Sequence, residues 1–365
     1  MEERLLMKGN EALAEAAIRA GCRCFFGYPI TPQNEIPEYM AKRMPQVGGV
    51  FLQAESEVSA INMVYGAAGA GVRAMTSSSS PGISLKQEGI SYMAGAELPC
   101  VVVNVMRAGP GLGGIQAAQG DYFQATKGGG HGDYYTLVLA PGSVQEMMDL
   151  TFDAFDLADK YRNPVLILCD AILGQMMEPV ELKDEFITQL QPKPWATVGA
   201  KGREPNVINS FYVSAEEQEE HNIKLFTKYQ RMRNEEVRVE TWRMEDAEIA
   251  LVAYGTVSRI AKAAVELMRQ EGIKAGLIRP ITLFPFPEKT IHDLAFNVKA
   301  FSVIEMSMGQ LVEDVRLAVK GVAPVKFYGT TGGRLPTPES IFQKAYELMN
   351  ELTRGENGCY EKIIR

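Results

Sequence analysis

Short apolar runs alternate along the chain with longer stretches in which apolar residues recur at helical spacing. The clearest runs are LPCVVVNVM at 98–106 and PVLILCD at 164–170, which are almost wholly apolar. A strand that is covered on both faces has this composition, and such strands alternating with helices are typical of a parallel sheet. The first half of the chain is therefore predicted to be an α/β domain with a doubly wound, mostly parallel sheet.

The stretch 49–71 combines this pattern with candidate chemistry. An apolar run ends at Gln53, Glu55 and Glu57 follow it, and a segment rich in small residues continues to Gly71. In an open α/β sheet, ligands bind where strands end and helices begin. Acids in the first turn of a helix also stabilise its dipole, and we favour this interpretation for Glu55 but not for Glu57.

The pattern changes near the middle of the chain. Residues 176–246 are dotted with proline and then strongly charged, which predicts an extended connector followed by a solvated helix. Strand and helix patterns return at EIALVAYG (248–255), and the later ITLFPFP is interpreted as a Pro-rich turn. We therefore divide the chain into a first domain (1–175), the connector (176–246) and a second, smaller α/β domain (247–365).

Composition excludes several classes of protein. The net charge of −8 argues against nucleic acid as the main partner, and the absence of a run of about 18 apolar residues predicts no membrane span. The charged start lacks the apolar segment of a secretory signal, and an odd number of cysteines without a framework predicts a reducing, cytoplasmic location. The scattered histidines and the cysteines, which form no framework, predict no metal or iron–sulfur cluster in this chain. The cysteines are Cys22, Cys24, Cys100, Cys169 and Cys359.

Two motifs have an ordinary explanation. GPGLGG at 109–114 matches a dinucleotide-binding pattern, but an amphipathic helix and a second strand do not follow it, so a nicotinamide dehydrogenase is a weak alternative. Ser77 to Ser80 are interpreted as a turn with helix-capping hydroxyls rather than as a nucleophile, since no histidine is adjacent. The sequence also contains no P-loop and no nucleophile elbow.

Thr31, Glu57 and Arg107 each follow a predicted strand, so we expect them to share one edge of the sheet. Thr31 could cap the next helix or lie in a simple turn, and Arg107 could grip a substrate carboxylate or form a structural ion pair. Position alone does not separate these alternatives. Together, a hydroxyl, a carboxylate and a guanidinium suit a small anionic substrate and a cofactor that needs an acid.

At these residues the sequence resembles the alpha subunit of 2-oxoacid:ferredoxin oxidoreductases. The second domain, through residues 253–287, is similar to the transketolase C-terminal domain that these subunits carry. The loop after Arg107 is most similar to the branched-chain (2-oxoisovalerate, or 3-methyl-2-oxobutanoate) type, since the 2-oxoglutarate type usually reads GPSTG there. The resemblance rests on GYPITP (27–32), ESEVSAINMVYGAAGAG (55–71), SSSSPGISLKQEGISYM (77–93) and VNVMRAGPGLGG (103–114).

The resemblance implies roles for individual residues. The first domain would be the pyrimidine-binding half of a thiamine diphosphate site, with Glu57 as the catalytic acid that activates the cofactor through the pyrimidine ring. Arg107 and Thr31 would bind the substrate. The family's PITP loop implies that Tyr28, Pro29, Ile30 and Thr31 lie beside the cofactor.

The resemblance also implies partners. The family decarboxylates a 2-oxoacid oxidatively, transfers the acyl group to coenzyme A and passes electrons to ferredoxin. Because this chain lacks cysteine clusters and an evident G-D-G…N motif, Mg²⁺ and the iron–sulfur clusters would lie in partner subunits. Those partners would be a beta subunit with the diphosphate half of the site, a gamma subunit and a ferredoxin-like delta subunit. The alternatives are the 2-oxoglutarate enzyme and a non-catalytic scaffold chain of the same fold.

Overall fold

The computed structural model describes residues 4–182, 186–354 and 363–364. Its helices are α1 (Gly9–Arg19), α2 (Glu35–Arg43), α3 (Glu57–Gly69), α4 (Ser80–Gly95), α5 (Tyr122–Thr126), α6 (Val144–Tyr161), α7 (Ala171–Gln175), α8 (Ala215–Glu235), α9 (Gly255–Gln270), α10 (Glu288–Ala295), α11 (Leu311–Val319) and α12 (Pro338–Arg354). A 3-10 helix covers Met44–Val47. Its strands are β1 (Arg4–Lys8), β2 (Cys24–Gly27), β3 (Val50–Gln53), β4 (Ala74–Ser78), β5 (Cys100–Met106), β6 (Leu137–Leu139), β7 (Pro164–Asp170), β8 (Met177–Glu181), β9 (Val239–Trp242), β10 (Ile249–Val252), β11 (Ala275–Pro280), β12 (Thr282–Phe284), β13 (Ala300–Glu305), β14 (Val325–Gly329) and β15 (Ile363–Ile364).

The first sheet has the order β12-β6-β7-β5-β4-β2-β3 among the described residues. Every neighbouring pair is parallel except β12 with β6. The continuous apolar runs that predicted buried strands are β5 and β7, and every residue of both strands is buried. Helices cover both faces, so the predicted doubly wound, mostly parallel sheet is confirmed.

The second sheet has the order β15-β14-β13-β10-β11-β9 in the part of the chain that the structure describes. It is parallel except where β9 pairs with β11. The predicted second α/β unit is therefore present. Several of its elements had no counterpart in the sequence analysis, namely β9, α10, β14, α12 and β15.

One strand crosses from the second unit to the first sheet. ITLFPFP contains β12, in which Thr282 pairs with Leu139 and Phe284 with Val138 on β6. The Phe284 ring also stacks on Tyr135 at a centroid distance of 4.4 Å. The interpretation of this segment as only a turn is therefore wrong, because Thr282–Phe284 forms a buried strand that completes a sheet far away in sequence.

The charged connector contains the helix that its pattern predicts, α8. This helix buries Leu225, Tyr229 and Met232 and leaves most of its charged residues towards solvent. Strand β8 pairs with β1 in a separate two-stranded sheet, and β9 joins the second sheet. None of the described helices is long and apolar enough to cross a membrane.

Candidate active site

The carboxyl ends of β2, β3, β4 and β5 lie side by side at one edge of the first sheet, because these strands are parallel and adjacent. Thr31 follows β2, Glu57 follows β3, Ser78 ends β4 and Arg107 follows β5. The three residues that the sequence singled out therefore lie at a common edge. We call this the carboxyl edge of the first sheet.

Arg107 and Thr31 are in direct contact. The Arg107 guanidinium donates through Nη1 to the carbonyl oxygen of Thr31 at 3.2 Å and through Nη2 to that of Leu112 at 2.9 Å. Arg107 is only 8% exposed, and its Nε has no hydrogen-bond partner among the described residues. No described carboxylate forms an ion pair with it, so the described residues do not support the structural ion-pair interpretation.

The loop around Thr31 is held by a buried glutamine that sequence reasoning did not select. Gln33 donates through Nε2 to the carbonyl oxygen of Tyr28 at 3.2 Å, and its Oε1 accepts the Ser77 hydroxyl. Helix α2 begins only at Glu35, so Thr31 does not cap it and that expectation is wrong. Thr31, Tyr28 and Pro29 are exposed and Ile30 is half-buried, which leaves this loop open to a ligand.

Glu57 is the first residue of α3, directly after the N-cap Ser56, whose hydroxyl accepts the Ser59 amide at 3.2 Å. The Glu57 side chain is 6% exposed, yet its carboxylate accepts no hydrogen bond from any described residue. By contrast, Glu55 is exposed and accepts the Ser59 hydroxyl at 2.5 Å. Burial without donors is costly for a carboxylate and is uncommon outside functional sites.

The Glu57 carboxylate lies over Gly82 of α4. A Cβ atom on Gly82 would come within 2.6 Å of Glu57 Oε1 and within 2.0 Å of Ser78 Oγ. Both oxygens thus occupy space that every other residue type would fill. Glycine at this position lets α4 approach the carboxylate closely.

The serines after β4 do not act as helix caps. Ser79 occupies the N-cap position of α4 without a capping hydrogen bond, and the hydroxyls of Ser78 and Ser79 are buried without a partner in the described structure. Ser80 Oγ accepts the Arg107 amide at 3.0 Å and donates to Asp121 Oδ2 at 2.6 Å. The capping expectation is therefore wrong, and Ser80 instead joins α4 to the end of β5.

Lys86 is a site residue that sequence reasoning missed. Its side chain is fully buried, and its ammonium donates to Thr76 Oγ1 at 2.7 Å and to the Ser77 carbonyl oxygen at 2.9 Å. Burial lowers the pKa of Lys86 to about 7, while the charge of Glu57 acts in the opposite direction. A charged residue between Ile83 and Ile90, at apolar helical spacing, was the available sequence signal.

The glycine-rich loop after Arg107 is irregular. Residues 109–116 are exposed, and no helix follows GPGLGG before α5, so the structure gives no support to a dinucleotide fold. Gly113 has φ of +62°, and a Cβ there would come within 1.8 Å of the Ala108 carbonyl oxygen. The loop returns to the sheet through a bridge between Arg107 and Ala117.

The carboxyl edge therefore offers both hydrogen-bond acceptors and hydrogen-bond donors that have no partner among the described residues. Glu57 can accept a hydrogen bond, and the hydroxyls of Ser78 and Ser79 and Arg107 Nε lack partners in the described structure. These residues fit a cofactor that presents a ring N–H to a carboxylate and a substrate that presents a carboxylate to an arginine. No group of three or more metal-ligating side chains occurs in the described segments, and Cys359 lies outside them.

Comparisons with known proteins cover most of the chain. Residues 15–241 match the family of pyruvate flavodoxin/ferredoxin oxidoreductases in its thiamine diphosphate-binding domain. Residues 247–341 match the core domain II of pyruvate:ferredoxin oxidoreductase.

The curated relatives are subunits of oxidoreductases. Ketoisovalerate oxidoreductase subunit VorB of Methanothermobacter thermautotrophicus is 53% identical over 346 residues, which are 95% of this chain and 98% of that protein. The 2-oxoglutarate synthase subunit KorA of Methanocaldococcus jannaschii is 40% identical over 361 residues, which cover 92% of this chain and 97% of that protein.

Two solved structures have a similar fold. The 2-oxoglutarate:ferredoxin oxidoreductase of Magnetococcus marinus, with 2-oxoglutarate, coenzyme A and succinyl-CoA bound, matches with a TM-score of 0.84 and 28% identity. The match covers 95% of this chain but 65% of that one, so this chain spans under two thirds of its length. A split-gene transketolase in an inactive tetramer has a TM-score of 0.57 at 13% identity over 94% of this chain and 98% of that one, which indicates a shared fold alone.

Proposed function

Since this chain belongs to the family of thiamine diphosphate-dependent 2-oxoacid:ferredoxin oxidoreductases, we propose that it is the alpha subunit of an enzyme acting on branched-chain 2-oxoacids. The reaction is the oxidative decarboxylation of the oxoacid to an acyl-CoA and carbon dioxide, with electrons passed to ferredoxin. The observation that carries the proposal is the buried Glu57 carboxylate, which lies at the carboxyl edge with no described hydrogen-bond donor.

Glu57 is proposed to bind the pyrimidine ring of thiamine diphosphate. When bound, this cofactor supplies the nucleophilic carbon and the electron sink that decarboxylation of a 2-oxoacid needs. The Glu57 carboxyl would share a proton with the pyrimidine ring nitrogen through a hydrogen bond, and Gly82 leaves the space that keeps Glu57 in place. Because the acceptor is buried, this hydrogen bond is stronger than the same bond would be in water.

Arg107 and Thr31 are proposed to bind the substrate. The guanidinium is already oriented by two carbonyl oxygens and has no carboxylate partner in the described structure, so it can receive the substrate carboxylate. The exposed Thr31 hydroxyl lies in the same loop as Tyr28, Pro29 and Ile30. These loop residues are proposed to border both the oxoacid and the cofactor.

The site is proposed to be completed by a partner subunit. Val58 and Leu85, next in sequence to Glu57 and Lys86, are 45% and 53% exposed, which is typical of an apolar contact surface. The beta subunit would supply the diphosphate and Mg²⁺ half of the site and an iron–sulfur cluster. Gamma and ferredoxin-like delta subunits would complete the complex and pass electrons to ferredoxin. The isolated chain is then expected to be inactive.

The branched-chain substrate is proposed because the 53% identical relative is a ketoisovalerate oxidoreductase subunit. Relatives that are 38–40% identical are 2-oxoglutarate synthase subunits, which keeps 2-oxoglutarate as the second candidate. The two candidates share the same roles for Glu57 and Arg107. They differ only in the side chain of the oxoacid that the complex accepts.

The proposal is tested in the complex assembled from this chain and its partner subunits. Turnover is measured with thiamine diphosphate, Mg²⁺, coenzyme A and a viologen dye, separately for 2-oxoisovalerate, 2-oxoglutarate and pyruvate. We expect the fastest dye reduction with 2-oxoisovalerate. Glu57→Gln should lower turnover by about 10³-fold or more, because the amide cannot take up a proton.

Glu55→Gln is the matched control, since Glu55 lies two residues away, is exposed and is expected to leave turnover unchanged. Equal turnover in Glu57→Gln and in the control would remove the catalytic role of Glu57. A preference for 2-oxoglutarate would keep the mechanism and replace the substrate. An assembled, cluster-loaded complex that is inactive with every oxoacid would favour the scaffold alternative.

A further inference from the structure

Lys86 is a buried cation whose environment does not satisfy its charge locally. Its side chain is fully buried on α4, where it is one of the largest buried side chains of the chain. It donates two hydrogen bonds, to neutral oxygens of Thr76 and Ser77. No described carboxylate forms an ion pair with it, whereas buried ammonium groups are normally paired because desolvation of the charge is expensive.

Glu57 is a buried anion in the same situation. Its carboxylate accepts no hydrogen bond from a described residue, and one of its oxygens lies against Gly82. Gly82 and Lys86 are four residues apart on α4, so they lie on the same face of the helix. The two unpaired charges therefore occupy neighbouring positions along the α3–α4 contact.

Among the described charged groups, Glu57 is the one that acts on the Lys86 ammonium. Asp121, a half-buried acid beside α4, is hydrogen-bonded to Ser80 and Asn104. Strand β4 contributes the Thr76 and Ser78 hydroxyls and the Ser77 carbonyl, and the loop after β2 contributes the neutral Gln33. Glu88 on α4 is exposed and accepts the Tyr92 hydroxyl. Glu57 is the charged side chain that acts on the Lys86 ammonium, in the direction that keeps it protonated.

We propose that Lys86 is a positioning residue for the cofactor-binding carboxylate. Its buried ammonium is the counter-charge that holds the Glu57 carboxylate in place beside Gly82 before the cofactor arrives. This inference rests on the proposed function only for the identity of the cofactor that Glu57 binds. The interaction between Lys86 and Glu57 lies within the first domain and does not depend on that function. A lysine in this role acts through Glu57 and touches neither cofactor nor substrate.

The first test is a double-mutant cycle on the melting temperature of the full chain. The four proteins are the wild type, Glu57→Gln, Lys86→Met and the double variant, each measured at pH 6 and pH 9. At pH 6 the double variant should melt at least about 2 °C above the value that the two single shifts predict, because each single variant leaves one buried charge alone. At pH 9 this excess should disappear, since the lysine is then neutral in the folded chain.

The second test measures cofactor loading of the assembled complex. At pH 6, Lys86→Met should raise the half-saturating concentration of thiamine diphosphate about tenfold, because the carboxylate loses the charge attraction that holds it beside Gly82. The control is Lys228→Met. The Lys228 side chain is 11% exposed, but it lies on α8 beside Glu97, and its replacement should change loading less than twofold.

The outcomes separate this inference from the proposed function. Additive melting shifts, or the same coupling at both pH values, would overturn the charge pair even if Glu57→Gln abolishes turnover. Coupling without a change in cofactor loading would make Lys86 a structural residue and overturn its positioning role. If Lys86→Met does not fold, Lys86→Gln is used in the same cycle, since it retains a donor for the Thr76 hydroxyl.

Discussion

Glu57 and Glu305 are two buried carboxylates at the carboxyl ends of strands in the two sheets. Glu305 ends β13 and is fully buried, and it accepts the Ser307 hydroxyl at 2.6 Å. It also accepts three backbone amides at the start of α11, those of Gln310 and Leu311 at 3.0 Å and of Val312 at 3.1 Å. Glu57 lies at the corresponding edge of the first sheet and accepts no hydrogen bond from a described residue.

The difference shows that burial alone does not identify a functional acid. Both carboxylates are removed from water, and burial raises the pKa of the Glu305 carboxyl even though its hydrogen-bond donors act in the other direction. Glu305 has its hydrogen-bonding capacity filled by the chain itself, which makes it part of the fold. Glu57 has that capacity open, which makes it available to a ligand.

The largest effect on this comparison should come from Gly82→Ala. The new methyl group would overlap the positions of Ser78 Oγ and Glu57 Oε1, so the carboxylate must move away. A displacement of about 1 Å at a reacting group can lower the rate about 100-fold, and we expect a loss of this size in the turnover of the assembled complex.

Gly66→Ala is the matched control for that substitution. Gly66 lies in α3, and a Cβ atom there would meet nothing within 4 Å. Alanine should therefore leave turnover unchanged and stabilise the helix by about 0.5–1 kcal/mol. Turnover that falls equally in both variants would show that small residues in these helices matter for assembly rather than for the placement of Glu57.

Glu305→Gln should lower the stability of the chain and leave cofactor binding unchanged, in contrast to substitutions that affect Glu57. The amide has one oxygen in place of two and cannot accept all the bonds that the carboxylate accepts, so we expect the free energy of unfolding to fall by about 1–3 kcal/mol. Urea unfolding of the full chain measures this loss. The half-saturating concentration of thiamine diphosphate should stay the same, and a change as large as that in Glu57→Gln would contradict the structural assignment of Glu305.

A smaller effect is expected in the pH dependence of stability. The pKa of Lys86 is about 7 in the folded chain, below its ordinary value of 10.5. Between these values the unfolded chain binds more protons, so stability should rise with pH, by at most about 1.4 kcal/mol per unit from this group. Below pH 7 the lysine is charged in both states, and its burial then costs the most stability.

Lys86→Met should remove this rise between pH 7 and 10.5. Glu57→Gln should start the rise at a lower pH, because Glu57 keeps the lysine protonated in the wild type. Thermal unfolding at half-unit pH steps measures both. A rise that starts at the same pH in Glu57→Gln would show that the two charges do not interact.

The sequence was sufficient to predict the alternation of strands and helices in a mostly parallel sheet, and part of the site. Continuous apolar runs predicted β5 and β7, and residues placed after strands predicted that Thr31, Glu57 and Arg107 share one edge. Local pattern could not predict which acid keeps its hydrogen-bonding capacity open, because the donors to Glu305 come from a separate helix start. Lys86 was not predicted as a site residue because Glu57, the acid that acts on its charge, lies on a different helix.

Long-range pairing was the other part that local pattern could not supply. The segment ITLFPFP, with two prolines, was interpreted as a turn, since proline is unfavourable inside a sheet. Strand β12 tolerates the nearby prolines because it lies at the edge of the first sheet and is only three residues long. Its partner, β6, is also short and lies more than 140 residues earlier in the chain.

This exchange of a strand limits how the chain can be divided. A fragment that ends before residue 247 would keep the first sheet but lose β12, leaving the backbone amides and carbonyls of β6 without their edge partner. An open edge of this kind is a template for association with other chains. Gene fusions, splits or domain swaps that respect the apparent domain border would therefore produce aggregation-prone pieces, and a border that carries residues 282–284 with the first unit would be the safer one.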